Sequence, residues 1–174
     1  YKDVATFNIA RIASKLLPKK SVLKLIQRAT RENARTPVQW SDAENASFST
    51  AEPWFSVNPN YKQINVEAQE DDPSSLLNFY RRLLAFRKSN AVALYGTYKE
   101  YAPKDKNFYV YERRHEGKRL LVICCFAPEF TRFDALEGIT LDDWTLELSN
   151  YDGCFVIGNG FTARPYELRV YSKG

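Results

Sequence analysis

The sequence predicts an α+β chain: two helices and a long aperiodic loop, a strong third helix, then an all-β module. Three observations carry that expectation. Apolar residues recur at helical spacing before residue 31 and again over 72–88. Periodicity vanishes over 34–66, which holds three of the eight prolines, two of the three tryptophans and four asparagines. From about residue 94 the pattern becomes period two, in segments rich in aromatic and branched residues. At 44% hydrophobic and 26% charged over 174 residues, the composition is globular and excludes disorder and collagen-like repeats. No apolar run approaches the roughly 18 residues of a membrane span.

Residues 3–17 read as a helix with Val4, Phe7, Ala10, Ala13 and Leu16–Leu17 at helical spacing, stopped by Pro18. Ser21 is the expected N-cap of a second helix, Val22 to about Arg31, with Val22, Leu25, Ile26 and Ala29 on one face. A loop as long as 34–66 in a compact domain is usually functional or part of a larger surface. Asp72-Pro73 signals the next helix, with Asp as cap and Pro at the first position. That helix runs to about Lys88 with Leu76, Phe79, Tyr80, Leu83 and Phe86 on one side. Leu77 and Leu84 widen its arc, so it needs cover on more than one side. Strands are expected at Tyr95–Tyr101, Phe108–Arg114, Leu120–Phe126, Thr145–Leu148, Cys154–Ile157 and Tyr166–Tyr171, with His115–Lys118 as a hairpin turn. The third strand is apolar on both faces, hence central in an antiparallel sandwich or curled sheet.

The formal net charge is +4, unevenly spread: residues 1–35 hold nine basic and two acidic residues. A segment at +7 suits an acidic surface or nucleic acid, but no nucleic-acid motif accompanies it, so a solvated helical face is expected. Cys124, Cys125 and Cys154 show no C-x-x-C spacing, and one His leaves little for zinc. Buried reduced thiols and a cytoplasmic location are expected. His115 in a charged turn removes Ser-His-Asp and Cys-His arrangements. No glycine-rich phosphate loop occurs. The carboxylates at Glu70–Asp72 and Asp142-Asp143 sit at turns. No cofactor, metal or catalytic residue is expected in this chain.

Arg31-Glu32-Asn33-Ala34-Arg35-Thr36-Pro37-Val38-Gln39-Trp40 stands apart. Two arginines at i, i+4 end a helix and lead into a loop bearing Gln39 and Trp40. Arginine forks and aromatic faces are what a sugar site needs; the bland alternative pairs the arginines with nearby acids and buries Trp40. The segment resembles the R-D-N-A-R-T-P-M-Q-W signature of the oligo-1,6-glucosidase-like α-glucosidases of glycoside hydrolase family 13. Further likenesses follow in order: Glu44–Phe48 to E-N-A-G-F, Pro53-Trp54, and Val57–Glu67 to V-N-P-N-Y-K-E-I-N-V-E. Arg164–Tyr171 resembles R-P-Y-E-A-R-V-Y, and Asp3–Asn8 the D-V-E-T-x-N after the last barrel strand. Departures are Glu32 for Asp, Val38 for Met, Ser47 for Gly and Gln63 for Glu.

The resemblance implies helices from the end of a (β/α)8 barrel followed by an antiparallel β-sandwich-like C-terminal domain. Residues 1–90 would be the edge of the catalytic barrel, with 72–89 as its last helix, and 94–174 the β-domain. The family's catalytic Asp nucleophile, Glu acid/base and third Asp would lie upstream of Tyr1. The absence of methionine, even at position 1, fits a piece of a longer chain. The parent would be a retaining enzyme acting on short α-linked gluco-oligosaccharides, and this chain alone would be inactive. Arg31 and Arg35 would contact substrate, Arg31 near the non-reducing glucose and Arg35 toward the leaving group or bracing the loop. Trp40 and Trp54 would pack rather than stack. The expected partner is an oligosaccharide bound through the complete barrel, with neither nucleic acid nor membrane. Self-association through the uncovered barrel-facing surface is also expected. Trehalose-6-phosphate hydrolases and sucrose isomerases share these motifs, and an autonomous carbohydrate-binding β-sandwich module is the alternative.

Overall fold

A computed structural model describes residues 3–134, 136–157 and 159–174. The chain divides into two compact units, Tyr1–Leu77 and Asn78–Gly174.

In the first unit, α1 spans Val4–Ala13, with Asp3 accepting from Ala5 N at 3.3 Å as its cap. It ends four residues before the expected stop, because residues 14–17 fold back on the last carbonyls, Leu17 N donating to Ala13 O at 2.8 Å. The helical spacing finds an apolar stripe but not its cover. Val4 and Phe7 are 72% and 60% exposed, while the buried residue is Thr6, bonded to Thr30 Oγ1 at 3.1 Å. The second helix, α2, is Lys19–Ala29 and starts before Ser21. Pro18 takes the cap position, its fixed φ suiting a helix start, and its carbonyl accepts from Ser21 and Val22. Val22 and Ile26 are buried as expected, whereas Leu25 is exposed; the side chain of Ala29 lies outside the described ones.

Thr30 is extended and breaks the helix, so Arg31–Ala34 is a separate 3-10 turn. Arg31 and Arg35 therefore do not share an α-helical face, contrary to the i, i+4 reading. The long loop follows, with 3-10 turns at Glu44–Ser47 and Pro59–Lys62. Asn45, Ala46 and Ser47 have φ of 51°, 57° and 53°, a left-handed run costing about 1 kcal/mol per residue. Hydrogen bonds hold it: Trp40 N and Ser41 N donate to Ala46 O, and the Ser41 and Ser47 hydroxyls meet at 2.6 Å. α3, Val66–Glu70, is capped by the buried Asn65 and strapped to the loop by Val66 N to Gln39 O and Glu67 N to Trp40 O, both 2.9 Å.

α4 is Leu76–Ser89, beginning later than Asp72-Pro73 predicts. Asp72 instead closes a local turn, accepting from Ser74 N and Oγ at 2.8 and 2.6 Å. Of its wide arc, Phe79 is buried, while Leu76, Tyr80 and Leu84 remain exposed.

The second unit adds a short helix α5, Ala91–Tyr95, capped by Asn90 where a strand was expected to open. Gly96 turns the chain tightly: a Cβ there would stand 2.5 Å from Val92 O. Seven strands follow: β1 Thr97–Tyr101, β2 Phe108–His115, β3 Lys118–Cys125, β4 Thr131–Asp134, β5 Thr145–Ser149, β6 Gly160–Ala163 and β7 Leu168–Lys173. They form an antiparallel sheet ordered β1-β2-β3-β7-β5 and a two-stranded β4–β6 sheet. Glu116 and Gly117, at φ 48° and 79°, make the hairpin turn. β3 is central and covered on both faces as expected. Leu121, Ile123 and Cys125 join Phe108, Phe133, Leu141 and Phe161 in one core, and Leu120 and Val122 join Val92 and Val170 in the other. Cys124, on the second face, is half-buried, and all three cysteines are free.

Two strand expectations are corrected. Cys154–Ile157 is not a strand: Phe155 and Ile157 are 75% and 70% exposed, and the chain pairs three residues later through β6. Its partner β4 is four residues long and carries too little alternation to be read. Tyr166, at φ 57°, belongs to the turn before β7.

The sheet also holds two buried carboxylates. Glu112 accepts from Arg114 Nε at 2.7 Å, from Arg119 Nε and from Tyr101 Oη at 2.6 Å. Burial pushes it up, but these bonds prevail and hold it at about 2. Glu167 accepts from Arg169 Nε at 2.8 Å and Arg164 N at 2.7 Å, and its pKa also falls, the same bonds overcoming burial.

A candidate carbohydrate site

Thr30 caps the Arg31–Ala34 turn by accepting from Glu32 N at 3.3 Å, which places the two arginines at its ends. Arg31 keeps 65% of its side chain exposed and donates from Nη2 to Asp3 Oδ1 at 3.3 Å. Asp3 N donates to Glu32 Oε1 at 2.5 Å, so the extra methylene of Glu32 reaches the start of α1. Arg31's hydrogen bond chiefly holds the Asp3 carboxyl below the usual carboxylate range, with added field from Arg35. Arg31, Arg35, Asp3 and Glu32 thus form one cluster, and the pairing of the arginines with nearby acids, the bland alternative above, holds for Arg31 and Asp3. The signal for Asp3 was its place as a helix cap.

Arg35 is exposed, and its backbone N–H closes the turn on Glu32 O at 3.0 Å. Gln39 is not a free amide surface: its Nε2 donates to Ile64 O and fastens the loop. Trp40 and Trp54, expected to pack rather than stack, both stand at the surface of this chain. They are 50% and 68% exposed, Trp54 lying against Phe55 at 4.7 Å. The straps between 39–41, 46 and 65–67 are all backbone, so they fix the loop while leaving the indoles outside. Beside the left-handed turn, Glu44, Asn45, Phe48 and Thr50 line a hollow of about 580 Å3. Exposed guanidinium forks can bond hydroxyls, and exposed aromatic faces can cover the apolar face of a sugar.

His115 is half-buried at the end of β2, 6.0 Å from the Tyr95 ring and 3.9 Å from Glu116 Oε1. Among the described residues no three His, Cys, Asp or Glu gather as a metal site. No helix among them is long and apolar enough to cross a membrane.

The alpha-amylase family model, described as the alpha amylase catalytic domain, matches residues 4–96. The chain belongs to that family. It is 36% identical to the oligo-1,6-glucosidase of Halalkalibacterium halodurans, over 98% of this chain and 31% of that protein. The crystal structure of Bacillus licheniformis trehalose-6-phosphate hydrolase superposes with a TM-score of 0.90 at 32% identity, over 99% of this chain and 32% of that one. The trehalulose synthase of Pseudomonas mesoacidophila MX-45 gives 0.86 at 28% identity, over 99% and 31%. The chain therefore spans about a third of the length of its relatives.

Proposed function

We propose that this chain is the C-terminal part of a retaining α-glucosidase that hydrolyses short isomalto- or malto-oligosaccharides. Residues 1–90 form the edge of its catalytic barrel and 94–174 its β-domain. The observation that carries this reading is the exposed Arg31–Arg35 turn, within a chain of which 98% aligns with a third of an oligo-1,6-glucosidase. Arg31 donates to substrate hydroxyls and adds positive field that keeps the nucleophile ionised. Arg35 faces the leaving-group side or braces the loop. The nucleophile and acid/base come from outside these residues, so the chain alone is inactive. The parent works in the cytoplasm. Relatives named for trehalose-6-phosphate hydrolysis and trehalulose synthesis have a similar stretch, and the residues that choose the linkage lie mostly upstream of it in the parent.

The isolated chain separates this reading from an autonomous binding module. It is expected to turn over no p-nitrophenyl α-glucoside and to bind neither maltose nor isomaltose tightly by calorimetry. Turnover would overturn the assignment of the carboxylates. Micromolar sugar binding would favour the module.

A further inference from the structure

Within residues 78–174, α4 and α5 leave a cavity of about 260 Å3 against the sheet. Its walls are apolar, Leu83 and Phe86 from α4 facing Val122 and Val170, and it also carries Arg87 and Arg113. Arg113 donates from Nη2 to Gly96 O at 2.7 Å, yet its Nε is buried with no hydrogen-bond partner among the described residues. Neither arginine pairs with a carboxylate among those residues. Both arginines are among the residues that line the cavity, and both guanidiniums act against the rise that burial gives the Tyr111 pKa.

An apolar space lined by two arginines, neither with a carboxylate partner among the described residues, is complementary to an anion carrying a hydrocarbon tail. Sugars do not fit these walls. The planar fork of Arg matches a carboxylate, and a volume under the roughly 300 Å3 of drug-sized pockets selects a compact ligand. We propose that this cavity binds a small apolar monocarboxylate, its chain against Leu83, Phe86, Val122 and Val170 and its carboxylate on Arg113 and Arg87. The inference needs no barrel and stands apart from the glucosidase reading.

Calorimetric titration of the full chain with octanoate tests it, with octanol and inorganic phosphate as controls. Saturable octanoate binding is expected, at least tenfold tighter than octanol, with none for phosphate. Arg113→Gln and Arg87→Gln should each weaken octanoate about tenfold without affecting octanol. Ala93→Phe, which fills the cavity, should abolish binding while the melting curve stays cooperative. Arg87 lies on the exposed side of α4, so its variant reads the charge contact even where Arg113→Gln fails to fold. No octanoate binding, equal octanol affinity, or binding that survives Ala93→Phe would each overturn the proposal.

Discussion

Glu112 and Arg31 each face an opposite charge, with different consequences. Glu112 has no exposed surface and three donors, so truncating it strands Arg114 and Arg119. Glu112→Ala should lower unfolding stability by about 3 kcal/mol in urea melts. Its folded pKa lies below the ordinary value of 4.5, so its stabilisation is complete above that pH. It disappears as pH falls from 4.5 toward 2. Glu112→Gln should flatten that part of the acid-unfolding curve, and an unchanged curve would refute the assignment. Arg31 pairs in the open, so Arg31→Gln should scarcely move the melting temperature. Residue types were readable in the motif; their partners were not. Asp3 meets Arg31 across 28 positions, and Glu112 meets Arg119 only once the β2–β3 register is set. Period two says which face a side chain takes, not what lies across from it.

At the scale of elements, long periodic segments were legible and short or tertiary-dependent ones were not. β3 announced itself through seven consecutive apolar positions, Leu120 to Phe126. β4 and β6, four residues each, exist because they pair with one another. The greasy segment Cys154–Ile157 alternates like a strand, with Val156 against the core and Phe155 and Ile157 exposed, yet is not one. α4 was readable in its arc and misread in its start, because Asp72 found a nearer partner in Ser74. Leu76, Tyr80 and Leu84 on α4 are 76%, 57% and 41% exposed. That apolar strip should drive self-association of the chain. Sedimentation should show concentration-dependent oligomers that the triple variant Leu76→Lys, Tyr80→Lys, Leu84→Lys disperses. A wild-type monomer across the range would contradict this.

For the whole molecule, the α+β layout, the antiparallel module and the family were all legible, because several motifs recur in order at consistent spacing. What single-chain patterning could not supply was cover. Val4 and Phe7 lie at helical spacing yet stand outside, the face that spacing finds being apolar whether or not anything packs on it, and Trp40 and Trp54 are exposed too. The most direct measurement of the central claim grafts this chain in place of the matching third of the Halalkalibacterium halodurans oligo-1,6-glucosidase and follows isomaltose hydrolysis. The account predicts a folded, active chimera in which Arg31→Gln lowers kcat/KM about 100-fold, roughly 3 kcal/mol of lost transition-state stabilisation, and Arg31→Lys recovers little. A folded chimera without activity, or an Arg31→Gln variant as fast as its parent, would contradict it.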